Sequence, residues 1–416
     1  MNSYFCSLLL VLLLHCAVAL DNGVALTPPL GWDTWCTQGP CGRDWCSAEE
    51  VQSAADELVA NGMQAAGYQY VIISDCWADT RDPHNSSLTA DKTRFPNGIK
   101  PVCDYIHKKG LKCGIYTDLG TNTCSKGGRD HAIPGSYGHY KQDAQTFADW
   151  GIDFVKADFC NTIKGDNDPH KLYKEFSDAL NATGRPILFN SCEWGLDKPW
   201  EWMAPIANTW RTGHDHADEW SNTASVIEIN ANLASYAGPG AWNDADFIMV
   251  GGEGCTDFAV GHRCPGQTDT EYRTSFSLWV IMASQIIVAT EIRNMSAFQK
   301  EVLLNKELLA VHQDRLRKAG QRVGFANCSQ SKVCQIWARN VTSGVAVALY
   351  NSDKVAHDIT FSFATVGIHK TPVAIRDLWA HTDLGHFSGT SYTGKAIPSH
   401  GTNMYLLSMP ETVTNY

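Results

Sequence analysis

Eight acidic side chains stand where short apolar runs of this chain end: Asp33, Asp75, Asp118, Asp158, Glu193, Asp215, Asp244 and Asp246. Trp32, Trp35, Trp77, Tyr116 and Trp194 accompany them, with one lysine, Lys156, and one arginine, Arg211. Carboxylates accept hydrogen bonds from hydroxyls, and indole faces cover C–H surfaces, so a convergence of these groups suits a polyhydroxylated ligand. Lys156 and Asp158 are two residues apart and share a face if they lie in a strand. A neighbouring ammonium favours the ionised carboxylate, so Asp158 is expected to have a lowered pKa, as befits a nucleophile. Arg211 and Asp215, four apart, share a face if the strand stays regular past Gly213. A second carboxyl stays protonated when a negative carboxylate sits beside it. Two carboxyls with separated pKa values are the equipment for cleaving a glycosidic bond.

Other chemistries leave weaker traces. Asp244 and Asp246, with His214 and His216 nearby, offer metal-ligating atoms, but no HExxH or paired CxxC spacing accompanies them, and no metal is expected. A Gly-x-Ser-x-Gly elbow is absent, which removes the main signal for esterase chemistry. No GxGxxG follows the first apolar run, and no cofactor is expected. An Asp at a strand end also serves as a helix cap or turn residue, and Asp79, Asp82, Asp149 and Asp168 are read in that way. Trp45, Trp200 and Trp202 are read as packing.

The acids need a scaffold that brings them together. Strands are predicted at 29–35, 69–77, 111–118, 152–160, 186–194, 207–215, 241–250 and 285–293, with amphipathic helices between most of them. Val51, Ala55, Leu58 and Val59 repeat at helical spacing behind a Ser47/Glu50 capping box, and Gly62 is a plausible stop. Thr268 and Glu271 form a second such box; Leu172, Phe176, Ala179 and Leu180 mark a further helix, closed by Gly184. Eight β–α units in series predict an α/β fold, a closed (β/α)8 TIM barrel, whose active site lies at the carboxyl ends of the strands. Beyond about 315 the pattern changes to short β-rich runs such as CQIWARN and GVAVALYN, which predicts a smaller C-terminal antiparallel β domain. The expected division is a signal peptide at 1–19, a catalytic barrel at 20–314 and the β domain at 315–416.

Composition limits the partners. The 416 residues carry 33 basic and 44 acidic side chains, a net charge of −11, and so lack the basic face that nucleic acid requires. Residues 8–14, LLLVLLL, begin an apolar block too short to span a bilayer comfortably, and Ala17-Val18-Ala19 fits a signal cleavage site. No membrane span is expected once the signal is removed. Thirteen cysteines then remain, many for a cytosolic chain, and the odd count leaves at least one unpaired. Asn85, Asn181, Asn294, Asn327 and Asn340 head N-x-S/T sequons. Secreted or lysosomal delivery by the secretory pathway is the expectation; a homodimer is left open.

The stretches GWDTW (31–35), DCWAD (75–79), RFPNGIK (94–100), LKCGIYTD (111–118), PGSYG (134–138), DAQTFADWGIDFVKADFC (143–160), CEWG (192–195), WRTGHD (210–215) and AGPGAWNDADF (237–247) resemble the α-galactosidases of glycoside hydrolase family 27. The resemblance implies a retaining exo-α-galactosidase acting on galactose-containing saccharides, with Asp158 as nucleophile and Asp215 as acid/base. It implies sugar-binding roles for Lys156, Arg211, Trp35, Asp75, Tyr116 and Asp246. Glu193 and Leu196 correspond to the bulky pair that selects a galactose 2-hydroxyl, where smaller Ser and Ala admit an N-acetyl group. Alternatives are an α-N-acetylgalactosaminidase, a β-L-arabinopyranosidase or a silent sugar-binding homologue. The chain departs from the family's IDDCW motif at Ser74, which replaces an acid that holds distal hydroxyls of the sugar. The resemblance also implies that Cys76 pairs with Cys36, Cys41 or Cys46, and Cys124 with Cys160. Cys255–Cys264 and Cys328–Cys334 are expected as local pairs, and Cys192 as a free thiol.

Overall fold

The computed structural model describes residues 20–35, 46–125, 131–252, 254, 264–328 and 332–409. The expected signal at 1–19, Cys36, Cys41, Trp45 and Cys255 lie outside them. All eight expected strands are present, each shorter than its apolar run: β1 Leu30–Asp33, β2 Tyr70–Ile73, β3 Lys112–Asp118, β4 Phe154–Asp158, β5 Leu188–Ser191, β6 Thr209–Arg211, β7 Trp242–Asp244 and β8 Ile286–Val288. They form one parallel sheet in the order β8-β1-β2-β3-β4-β5-β6-β7. The edges meet through Ile248, just past β7. Its N–H donates to Ile287 O, and its carbonyl accepts from Ala289 N–H, both at 2.9 Å. The chain is a (β/α)8 barrel.

Alternation along the strands sorts the side chains. Trp32, Val71, Ile73 and Val155 point outward into the cluster shared with the helices. Tyr70, Ile72, Phe154, Leu188 and Ile287 fill the barrel interior. By the same period Asp33, Ser74, Tyr116, Lys156 and Asp158 belong to the inward row, above that apolar plug.

Helix ends are held by local hydrogen bonds. Ser47 caps Ala48–Ala60, and Asp168 caps Pro169–Ala182, as read for an acid before a helical run. Thr268 and Glu271 form the expected reciprocal box on Asp269–Met282. That last helix is buried on nearly every side, because the second domain covers the face that the barrel leaves. The second domain is antiparallel: a six-stranded sheet runs Gln321–Phe325, Cys334–Val341, Gly344–Asn351, Thr402–Ser408, Val373–Asp377, Thr382–Phe387. A pair of strands, His357–Ser362 and Ser391–Ile397, closes over a core containing Val347, Ile359, Phe361 and Leu407. The buried Arg339 joins the domains by donating to the carbonyls of Val280 (2.6 Å) and His312 (3.0 Å).

Of the three candidates for Cys76, Cys46 is its partner. Cys124–Cys160 and Cys328–Cys334 are bonded, and Cys264 is in a disulfide. Cys103–Cys113 went unforeseen: Cys103 lies on the buried face of a helix and Cys113 in β3, positions where cysteine passes for a small hydrophobe. Among the described residues no helix is long and apolar enough to cross a membrane.

Candidate active site

The inward row of β3 and β4 supplies the first group. Asp158 ends β4, buried to 8 % exposure. Its Oδ2 accepts from the Tyr116 hydroxyl at 2.8 Å. Its Oδ1 accepts no hydrogen bond from the protein, and the Lys156 ammonium lies 3.9 Å from it. Lys156 in turn sits over the rings of Phe247 (4.9 Å) and Tyr116 (5.9 Å). One carboxylate oxygen is therefore anchored and the other is free to react.

The second group is built on β6 and the segment after β7. The guanidinium of Arg211 is fully buried, 2.9 Å from Asp246 Oδ2 and 3.1 Å from Asp215 Oδ1. The strand ends at Arg211, so the Arg211–Asp215 contact is made by a loop turning back, not by strand periodicity. His214 and His216 do not share a face as alternation would require. His214 is exposed, whereas His216 is buried with its ring nitrogens on Phe247 O and the Thr223 hydroxyl. Asp246 also accepts from His216 N–H (2.8 Å), and Asp244 accepts from the Asn190 side chain (2.9 Å) and from Asp246 N–H (2.8 Å). These acids and His216 are thus committed to protein partners.

Electrostatics correct one expectation. Asp158 is raised above the ordinary carboxylate value, not lowered: burial outweighs the pull of Lys156, and the negative charge of Asp215 adds to the rise. Asp215 therefore lies within electrostatic reach of Asp158. Burial alone would raise Asp246, but Arg211 and Lys156 overcome it and hold Asp246 low. Burial lowers Lys156, yet the surrounding acids, Asp158 foremost, win and keep it a cation.

These causes give a pH prediction. A nucleophilic Asp158 works only when ionised, so turnover is present above its pKa and lost as pH falls through it. The Tyr116 hydroxyl lowers that pKa. Tyr116→Phe should therefore move the acid limb of the kcat/KM profile to higher pH, which a pH–rate series measures; an unmoved limb contradicts this account.

The remaining expected positions divide. Trp35 is half-buried against the interior cluster. Asp75 is buried and accepts from Ser125 N–H at 3.2 Å. Glu193 follows β5. Its Oε2 accepts from Asp197 N–H (2.9 Å), while its buried Oε1 accepts nothing, and burial pushes it up to about 7. Leu196, on the same turn, is 68 % exposed. Asp118 turns away, taking the amides of Gly120 (2.6 Å) and Cys160 (2.9 Å), and supports the loops. Cys192 is a free, buried thiol 3.5 Å from Arg211 Nη1. Asn190, which holds Asp244, and Phe247, beneath Lys156, went unremarked in the sequence, because nothing in their local spacing separates them from packing residues.

The family profile described as "Alpha galactosidase A" matches residues 27–314, and one described as "Alpha galactosidase C-terminal beta sandwich domain" matches 331–407. The alpha-galactosidase of Cyamopsis tetragonoloba is 38 % identical over 93 % of this chain and 88 % of its own length. Alpha-galactosidase A of Homo sapiens is 34 % identical, over 85 % and 81 %. The crystal structure of alpha-galactosidase I from Mortierella vinacea superposes with a TM-score of 0.81 at 30 % identity, covering 93 % of this chain and 98 % of that one.

Proposed function

The chain belongs to the alpha galactosidase A family of glycoside hydrolases and is an α-galactosidase, and from that premise we propose how its own residues carry the reaction. Asp158 Oδ1 attacks the anomeric carbon while Asp215 protonates the departing glycosidic oxygen. The resulting galactosyl ester on Asp158 is cleaved by water, from which Asp215 now removes the proton, and α-galactose leaves with its configuration retained. Arg211 holds Asp215 and Asp246, and Lys156 offsets the charge of Asp158. No step needs a metal or cofactor.

The observation that carries this reading is the asymmetry of Asp158. Tyr116 fixes one oxygen, and the other, without a protein hydrogen bond, faces the cation of Lys156 and feels the charge of Asp215. The test is NMR of the first-formed anomer across aryl α- and β-glycosides of galactose, N-acetylgalactosamine and L-arabinopyranose. Retained α-galactose is expected; first-formed β-galactose would overturn the assignment of Asp158.

We further propose that Glu193 and Leu196 exclude a 2-acetamido group. Glu193 is anchored at one oxygen, and Leu196 stands exposed on the same turn. The paired change Glu193→Ser and Leu196→Ala should raise kcat/KM for an aryl α-N-acetylgalactosaminide by about 10-fold or more while lowering it for the galactoside. Entry by the secretory route, to secretion or a lysosome, is part of the same proposal, supported by the exposure of all five sequon asparagines. Endoglycosidase digestion of the native protein should shift its mass.

A further inference from the structure

The barrel and the β domain leave a cleft between them that the mechanism above does not use. Its volume is about 330 Å³, and Arg273, Glu301, Asp377, Trp379, Thr402 and Asn403 line it. Arg273 belongs to the first turns of helix Asp269–Met282, which follows β7 and so starts at the carboxyl end of the barrel, the end that carries Asp158 and Asp215. Trp379 is half-buried, and its Nε1–H donates to the Ser277 hydroxyl of that helix at 3.0 Å, which fixes the indole in the seam between the domains. Arg273 gives two nitrogens to Glu301, Nε at 3.1 Å and Nη2 at 2.8 Å, and its Nη1 meets no acceptor among the described residues. Asp377 Oδ1 accepts from the N–H groups of Trp379 (3.0 Å) and Ala380 (2.9 Å), while its Oδ2 accepts from none of the described residues. The Asn403 amide donates to the Tyr405 hydroxyl at 2.9 Å, and its carbonyl oxygen is unused. Thr402 is 9 % exposed, and its buried hydroxyl has no hydrogen-bond partner. Buried polar groups in folded chains are nearly always paired, so this orphan points to a partner from outside the chain.

We propose that this interdomain cleft is a second saccharide-binding site, which holds a neutral sugar unit of a branched substrate while a terminal galactose is cleaved at Asp158. The charges select a neutral ligand. Arg273 is the only cation among the lining residues, and Glu301 already neutralises it, so an anion finds no unpaired positive charge. Asp377 is one surplus carboxylate, too few oxygen ligands for a hard divalent cation. What remains is a mixed set beside an indole: Arg273 Nη1 and the Thr402 hydroxyl donate, and Asp377 Oδ2 and Asn403 Oδ1 accept. A sugar ring meets all of them, because each hydroxyl both donates and accepts and the C–H face lies against the indole. The volume is at the small end of ligand cavities and suits one or two rings, not an extended chain. Binding here raises the local concentration of galactose ends at the barrel mouth and leaves the chemistry untouched. The choice of a saccharide rests on the α-galactosidase reading; the cleft shares no residue with the catalytic groups.

The test has two arms, both on the full chain. In the first, the active site is filled with deoxygalactonojirimycin, the imino-sugar analogue of galactose, and the protein is titrated calorimetrically with a mannan oligosaccharide bearing α-galactosyl branches. Binding of one oligosaccharide per chain is expected, weakened about 5-fold or more, the scale of one lost hydrogen bond, by Asn403→Ala and by Asp377→Asn. Asp377→Asn keeps an oxygen for the N–H groups of Trp379 and Ala380 and turns the other acceptor into a donor, so it tests the cleft without opening the turn. In the second arm, both variants and Trp379→Ala should raise KM for the branched polymer by about 5-fold, with kcat and KM for an aryl α-galactoside unchanged. If Trp379→Ala fails to fold, the other two variants carry the test. No binding with the active site filled, binding that the variants do not weaken, or equal losses on polymer and aryl substrate would each overturn the second site. A wild type that hydrolyses no aryl α-galactoside would instead overturn the reading beneath it, so the two failures are distinguishable.

Discussion

Asp158→Asn is expected to lower kcat on an aryl α-galactoside by on the order of 10^4-fold or more while leaving the fold intact. The amide has nearly the shape of the carboxylate and can still meet the Tyr116 hydroxyl that holds Oδ2. It has no anionic oxygen to form the galactosyl ester. Lys156 loses its nearest counter-charge but keeps Asp246 within electrostatic reach, so the buried ammonium is not stranded. Steady-state kinetics and the urea midpoint of the variant check both halves. A smaller variant, Asp158→Gly, adds a stereochemical check. Azide should enter from the face that Asp158 occupied, displacing an activated leaving group to give β-galactosyl azide. Normal turnover by the Asn variant, or an α-azide from the Gly variant, would falsify the nucleophile assignment.

Arg211→Ala should carry the largest stability cost, about 3–5 kcal/mol near neutral pH, because it strands a buried carboxylate. Arg211 is the closest cation to Asp246 and touches Cys192 and Asp215 as well. With it present, Asp246 is held below the ordinary carboxylate range and favours folding at pH values above its unfolded pKa. That contribution is lost only as pH falls through the depressed folded value. Without Arg211, burial dominates, and the folded Asp246 takes up a proton more readily than the unfolded one. The penalty should therefore shrink as pH falls from 7 toward 4, and urea denaturation at several pH values measures it. A penalty independent of pH would show that lost packing, not the stranded charge, is responsible.

Local rules recovered much of this site. The period of two along a strand put Lys156 and Asp158 on one face, and they are neighbours at 3.9 Å. Apolar runs marked all eight barrel strands, and seven of those runs end in acids. The same local view gave the wrong direction for Asp158, since a charged neighbour two residues away is visible in the chain, whereas burial is imposed by the whole barrel. Asp215 shows the converse: its side chain is 57 % exposed and reaches Arg211 through a loop whose path no periodicity describes. Asp118 shares its inward parity with Asp158 yet serves loop amides, because the loops after β3 and β4 fold over it.

Asp33 and Ser74 mark the boundary most clearly. Each was legible alone, one as an acid at a strand tip and the other as a departure from a family motif. Their strand tips come side by side only when β1 and β2 pair in register, with Asp33 opposite Ile72. Cys46 was one of three candidates for Cys76 for the same reason. Order along the chain determined which residue types stand at each strand tip and which face they share, because strand geometry is set by the backbone at about 3.3 Å per residue. Which tips touch, which carboxyl loses water and which oxygen is left to react were decided when the sheet closed on itself, since desolvation and cross-strand contact belong to the enclosed volume and not to any single strand.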